Sequence, residues 1–403
     1  MYKLHCVVQN YLWGKAGHES RVALLKHADD DSYEISEDKH YAEYWFGTHP
    51  SGPSSIEVDG SIIPLKEYLN SHPELMGTSM GGHGDLPFLY KVLSVGAALS
   101  IQAHPDKVLA KRLHAINPAA YTDDNHKPEM ALALGPFEAM CGFRCLSEIA
   151  AYLKEIKPLY NIIGKATADG FIKEVETNSV SDEKLLLKSL FKQFIECPKE
   201  IVLQSLKEHR DYLEHKSNKS QMENTILEVM DTYPGDAGSF APYILNYLQL
   251  SKGDSIYLGA NIPHAYLKGD IMESMACSNN VVRAGLTPKF IDKETLINMC
   301  TYENGPVNIN KGESIDKYTS LYSTPAPEFE IEYTHIPSDS TYILPIHTVP
   351  SICVVTSGNA SIHSETGSMN IKEGSILFHA AASTATINTT SNPIDIYTTH
   401  EKL

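Results

Sequence analysis

The chain has 403 residues, a hydrophobic fraction of 42% and a formal net charge of −17, enough length for two or three domains with substantial cores. No apolar run approaches the roughly 18 residues that span a bilayer, and so acidic a chain lacks the clustered positive charge that nucleic acid or an anionic membrane surface demands. The seven cysteines (Cys6, Cys141, Cys145, Cys197, Cys277, Cys300, Cys353) are scattered and form no Cys-x-x-Cys pair, which excludes a disulfide framework or thiolate zinc site as a reading and fits a reducing cytoplasm. Met1 to Gly14 has no continuous apolar core of the kind a signal peptide carries, and Glu401-Lys402-Leu403 is no convincing address.

From Lys3 to about Leu99 the texture is strand and turn, punctuated by segments such as Thr48-His49-Pro50-Ser51-Gly52-Pro53. Pro64 opens a short amphipathic helix with Leu65, Tyr68 and Leu69 on one side. The run Leu99 to His104 then alternates, so a strand would send Ser100, Gln102 and His104 to one face and Ile101 and Ala103 to the other. A carboxamide oxygen and an imidazole two residues apart can point at one metal ion; the plainer reading is a half-buried strand with a wet polar face. Pro105 ends the strand. A helix follows, with Asp106 at its positive end, Val108, Leu109 and Leu113 as its apolar stripe and Asn117-Pro118 as its stop.

Next comes Asn125-His126-Lys127-Pro128-Glu129-Met130, leading into the apolar Ala131-Leu132-Ala133-Leu134. A carboxylate at the mouth of a buried strand is costly unless it is paired or binds a metal, the alternative being an exposed loop acid. Between about Ser147 and Asp231 helical spacing takes over: Leu185, Leu186, Leu190 and Phe194 after Ser181-Asp182-Glu183, Val202, Leu203 and Leu206 after Pro198, then Ile226, Leu227 and Met230. Strands return from about Ala237. In Gly259-Ala260-Asn261-Ile262-Pro263-His264-Ala265-Tyr266 the proline fixes the approach to His264, which reads either as a ligand or as a structural histidine. Glu273 and the segment Asn279 to Lys289 follow. There Arg283 and Lys289 are flanked by apolar and small residues, as partly buried cations are. Such cations can host a phosphate or a developing oxyanion, or form internal salt bridges with Glu273.

From about Phe329 to His400 the chain is strand again. Phe329, Ile331 and Tyr333 alternate, and Gly358-Asn359, Gly367 and Gly374 mark hairpin turns. Lys252 to Leu258 is echoed by Lys372 to Phe378, as two β-barrel domains of one plan would require. The first copy leads to Pro263-His264, whereas the second runs into Ala380-Ala381-Ala382-Ser383 with no ligand at the comparable point. On this reading one barrel keeps a site and the other is structural.

Gln102, His104, Glu129 and His264 form a nitrogen-and-oxygen set without sulfur, the composition of catalytic rather than structural zinc sites; manganese, cobalt or iron would also accept it. The blocks that carry this set resemble those of the type I mannose-6-phosphate isomerases. The likeness runs from Val8 to about Asp292 and includes Gln9-Asn10-Tyr11-Leu12-Trp13-Gly14, Ala42 to Pro50, Leu86 to Ser94, Ser100 to Lys107, Asp123 to Leu134 and Leu258 to Asp292. The resemblance implies a mainly β fold with two cupin-type (jelly-roll) β-barrel domains plus an α-helical domain. The domains expected are a discontinuous catalytic one at 1–146 and 235–320, a helical insertion at 147–234 and a C-terminal cupin-like domain at 321–403. It further implies one zinc ion per chain held by Gln102, His104, Glu129 and His264, with Arg283 as the catalytic arginine and Ser100, Lys127, Glu273 and Lys289 in the pocket. Asn279 departs from the family, which commonly has an acid there.

The reaction implied is interconversion of mannose 6-phosphate and fructose 6-phosphate through an enediol, in a cytoplasmic monomer that feeds mannose metabolism and GDP-mannose synthesis. Arg283 would stabilise the enediolate, and Glu273, Lys127, His126 and a metal-bound water are the candidates for proton transfer. Lys289, Ser100 and Arg283 would hold phosphate and hydroxyls. Without the resemblance, His104, Glu129 and His264 also read as a two-His, one-carboxylate triad for a non-haem iron oxygenase, and a non-catalytic sugar-binding barrel is a third alternative.

Overall fold

The computed structural model describes residues 1–403. Two extended antiparallel sheets lie back to back, with a helical domain on one end of the first. The first sheet is built around His264–Ala276, which pairs antiparallel with Glu129–Phe143 on one side and Phe88–Val95 on the other. Every residue of Phe88–Val95 is buried because both of its faces are covered. Leu93, Ala131, Ala133, Ile256, Leu258 and Ile271 point into the interior of the first β domain. Tyr90, Val92, Met130, Leu132 and Met272 point the other way, against Ile331, Ile352, Val354, Ile376, Phe378 and Tyr397 of the second sheet. A buried hydrogen bond between the hydroxyls of Ser274 and Thr399 (2.9 Å) crosses the same boundary. The strand pairing closes neither sheet into a complete ring.

The second sheet includes Glu330–Ile336, Ser351–Ser357, Ile376–His379 and Ile394–His400, and a smaller four-stranded sheet covers its far face. Its strands are not all C-terminal. Tyr2–His5 pairs on one side with Ile376–His379 and on the other with Ser55–Val58, while Glu313–Ser314 and Thr319–Tyr322 extend the opposite edge. Backbone pairing therefore places 313–322 with the C-terminal sheet rather than with the catalytic part, and it brings residues 2–5 and 55–64 there as well.

Six helices, Leu146–Glu155, Lys157–Ile163, Lys165–Glu176, Glu183–Glu196, Lys199–His215 and Gln221–Thr232, form the insertion. Asp182 caps the fourth, and Ser220 with Glu223 closes a capping box on the sixth. The helical core is continuous with Ile101, Ala103, Val282 and Ala284. The helices thus back the strand Ile101–Ala103 on the face opposite Gln102. None is long and apolar enough to cross a membrane.

Leu65–Ser71 and Lys107–Ile116 lie where the sequence puts them; the Asp106 carboxylate accepts from the amides of Val108 and Leu109. Two helices escape the sequence reading, Arg21–Asp29 and Lys293–Met299. Arg21–Asp29, capped by Ser20, buries Val22, Ala23 and Leu25 inside a stretch read as strand and turn. Its stripe is too short to stand out from the strands around it. The echo between 252–258 and 372–378 is real in geometry: Gly253 and Gly374 both turn with φ near the left-handed region (88° and 87°) and a short strand follows each. At Gly374 a Cβ would stand 2.3 Å from the Leu25 carbonyl oxygen, so only glycine fits. The second copy ends on the buried His379 immediately before Ala380, while the position at the same offset as His264 is Thr384. The alternation read at Phe329, Ile331 and Tyr333 understates the strand, because its other face buries Glu330 and Glu332.

Phe378 is fully buried where the two sheets meet. Phe378→Ala is expected to destabilise the chain by about 3–5 kcal/mol through lost transfer energy and the cavity left behind, measured as a lowered midpoint in denaturant unfolding.

Candidate metal centre and active-site cleft

Three ladders set the site. His264 lies directly opposite Gln102, and Gln102 directly opposite Arg283, so the three side chains leave the sheet on one face. Glu129 starts the long strand that pairs with Met275, two residues beyond Glu273. Beyond Ala103, the chain turns at His104, whose carbonyl accepts from the Asn261 amide (2.7 Å). The side chains of Asp106 and Asn261 hydrogen-bond at 3.0 Å. The turn before Pro263 is thereby tied to the end of the Gln102 strand, and His104 and His264 are brought together although 160 residues of chain separate them.

Both imidazoles are fully buried. Each spends its Nδ1 on a main-chain carbonyl, His104 on Asn280 (2.7 Å) and His264 on Ile262 (2.8 Å). That bond fixes the tautomer with Nδ1–H as donor and leaves the Nε2 lone pair free. Both Nε2 atoms lack a hydrogen-bond partner, as does Glu129 Oε2. They converge: His104 Nε2 is 3.2 Å from Glu129 Oε1, and His264 Nε2 is 3.4 Å from Glu129 Oε2. Tetrahedral coordination with bonds of about 2.1 Å separates ligand atoms by roughly 3.4 Å, so the spacing suits a shared divalent ion better than direct acceptor-to-acceptor contact.

The electrostatics agree. Burial pushes the His104 imidazole down to about 4, into the neutral form that can ligate. Burial alone would raise the Glu129 carboxyl, but Lys127, whose Nζ is 3.2 Å from Oε1, and His104 outweigh it and hold the group well below the usual carboxylate range.

Above this floor opens a cleft of about 850 Å³ lined by Ser100, Gln102, Lys127, Glu129, Glu273, Arg283 and Lys289, which the sequence singles out. Arg283 is half-buried and has no ion-pair partner, so the internal salt bridge with Glu273 does not form. Glu273 is instead buried against Lys91 (2.8 Å) and the Tyr266 hydroxyl (2.9 Å). Burial raises its carboxyl above the ordinary glutamate value, partly offset by Lys91 and reinforced by Glu129. Lys289 is exposed at the rim, where partial burial was expected. His126 faces Glu328 (2.6 Å) and does not line the cleft.

The sequence reading passed over Lys91 and its partners. Lys91 pairs with both Glu273 and Glu43 (3.4 Å), and Glu43 also accepts from the Trp45 indole at 2.5 Å. The available signal was a lysine inside the apolar run Phe88-Leu89-Tyr90-Lys91-Val92-Leu93, which only a buried acid can neutralise. The segment around Asn279 is held by an acid from elsewhere in the chain. Asp123 accepts from the Asn279 amide, the Ser278 hydroxyl and the Asn280 side chain (2.8, 2.8 and 3.1 Å), steadying the segment whose Asn280 carbonyl orients His104.

The known proteins similar to this chain share this geometry's fold and one activity. The catalytic domain of type I phosphomannose isomerase matches residues 1–146, and the helical insertion domain of the same type matches 162–245. The mannose-6-phosphate isomerase of Mus musculus is 40% identical over 398 residues, covering 94% of this chain and 93% of its own. That of Homo sapiens is 38% identical over 406 residues, covering 97% and 96%. Among solved structures, a phosphomannose isomerase mutant from Salmonella typhimurium superposes with a TM-score of 0.85 at 29% identity over 100% of both chains. A zinc-bound mannose 6-phosphate isomerase superposes with a TM-score of 0.84 at 28% identity, over 100% of this chain and 99% of that one. With two fifths of its residues shared along nearly its whole length, the chain belongs to the type I mannose-6-phosphate isomerase (phosphomannose isomerase) family.

Proposed function

We propose that the chain isomerises mannose 6-phosphate and fructose 6-phosphate through an enediol, with one zinc ion at this cleft held by Gln102, His104, Glu129 and His264. The carrying observation is the convergence of two unpartnered, carbonyl-anchored imidazoles on Glu129 beneath a cleft walled by cations. Bound there, zinc supplies Lewis acidity and a template for the sugar oxygens. The residues do the rest. Arg283, unneutralised by any carboxylate, offers its guanidinium to negative charge growing on the sugar oxygens. Glu273 moves the proton between carbons 1 and 2, its carboxylate positioned by Lys91 and the Tyr266 hydroxyl. Lys127 keeps Glu129 ionised, and Lys289 and Ser100, at the cleft wall, receive the phosphate and hydroxyls.

A monomer is the proposed working unit. Seven free cysteines support the cytoplasm as its compartment, and supply of mannose units for GDP-mannose synthesis as its role. The proposed division is a catalytic domain at 1–146 and 235–320, a helical wall at 147–234 and a C-terminal domain at 321–403. The strand pairing at 313–322 trims this division at its edge.

A coupled isomerase assay with metal analysis tests the reading. His264→Ala should lose both the zinc of this cleft and turnover. Arg283→Ala should keep that zinc and lose about 10²–10³-fold in kcat; near-normal turnover would reject the role of the arginine. Glu273→Gln should lower kcat about 10²–10⁴-fold with zinc retained. Because the Glu273 carboxyl sits above its ordinary value, the base is lost as pH falls through that raised pKa. The acid limb of kcat/KM should therefore lie above the usual glutamate range, and should vanish in the residual activity of the variant. Chelation should abolish activity while leaving the far-UV circular dichroism spectrum intact, since both β domains have apolar cores of their own.

A further inference from the structure

The C-terminal domain contains a second cluster built on the same plan. Glu332, His347 and His400 are all buried, and each offers a ligand atom within 4.8 Å of the others. His347 Nε2 and His400 Nε2 stand 3.3 and 3.4 Å from one carboxylate oxygen, Glu332 Oε1. These are the spacings of the catalytic cluster. His400 also repeats the anchoring of His104 and His264, with Nδ1 on a main-chain carbonyl, that of Glu401 (2.6 Å). Its Nε2 lone pair is left facing Glu332 with no hydrogen-bond partner, although the residue is only 1% exposed.

Strand register adds a fourth group. His400 lies opposite both Glu330 and Ser351, and Ser351 lies opposite His379, so His400 and His379 leave the sheet on one face. Glu332, two residues beyond Glu330, points the same way. His379 is 4% exposed and its Nε2 has no partner either. His347 reaches the cluster from the segment before Ser351, where its carbonyl accepts from the Ala382 amide (2.7 Å), and its ring stacks on His400 at 4.1 Å. Two imidazoles stacked this closely repel if both carry protons, and a cation at the centre of the cluster removes that cost while neutralising the buried carboxylate.

We propose that Glu332, His347 and His400 hold a second divalent transition-metal ion in the C-terminal domain, with His379 on the same face of the sheet. Imidazole and carboxylate without thiolate suit zinc or its first-row neighbours. Its three ligands come from separate segments, so the ion would join strands Glu330–Ile336 and Ile394–His400 to the segment that carries His347. The chain would then bind two ions where the sequence leads one to expect one.

Metal content after reconstitution with zinc and gel filtration tests this, with cobalt as a coloured second probe. The full chain should carry two equivalents. His264→Ala should carry one and be inactive, and the Glu332→Ala/His347→Ala double variant should carry one and keep wild-type turnover. The His264→Ala measurement does not depend on whether the double variant folds, and it separates this site from the catalytic one. A full chain saturating at one equivalent, or a His264→Ala protein retaining none, would overturn the proposal.

Discussion

A carboxylate with almost no access to water survives only if something positive is fixed beside it, and Glu129 is the point on which this molecule turns. Its neighbours are set with their lone pairs, not their protons, towards it, because main-chain carbonyls have already claimed the Nδ1–H of both histidines. That single choice of tautomer turns both Nε2 lone pairs, rather than N–H donors, towards the carboxylate. The surrounding architecture serves to keep the choice from relaxing. Asp123 holds the Asn280 carbonyl in place, Asn261 locks the two histidine-bearing loops together, and the helical insertion presses on the back of the Gln102 strand.

The acidic balance of the whole chain and the cationic lining of the cleft are then two scales of one electrostatic design. With a formal charge of −17 over the whole chain, the protein still gathers Lys91, Lys127, Arg283 and Lys289 around one cleft. Lys91 is neutralised by Glu43 and Glu273, and Lys127 leans on Glu129. Arg283 and, at the rim, Lys289 are left without a carboxylate, and Arg283 stands directly opposite Gln102.

How much of this was legible in the sequence depended on the range over which each residue's partners lie. The Gln102–His104 strand could be read because a strand's alternation is local and Pro105 punctuates it. The cap at Asp106 and the turns at Gly253 and Gly374 are equally local. Lys91 could not be read: its meaning comes from Glu273, 182 residues away, and a lone lysine in an apolar strand points to no particular acid. Glu332 was hidden by a different mechanism. Alternation tells two faces apart only when one of them meets water, and Glu330–Ile336 is covered on both sides, so its acids looked like a solvent face. His347, His379 and His400 belong to separate strands and loops whose register no periodicity encodes. The pairing of 319–322 with Glu330–Ile336 was unreadable for the same reason, since register and not composition sets it.

The strand Tyr2–His5 sits between Ile376–His379 and Ser55–Val58 in the middle of a nine-stranded sheet. Nothing emerging earlier from the ribosome can satisfy both of its edges. While the intervening 370 or so residues are synthesised, one row of backbone amides and carbonyls must wait for a neighbour made almost last, and the loop closed by that pairing is among the largest the chain can form. The first β domain and its helical insertion can collapse during that interval, but the second sheet cannot. Assembly is therefore ordered from the catalytic half outward, and an unpaired strand edge is the form in which a nascent or truncated chain is most exposed to the wrong partner.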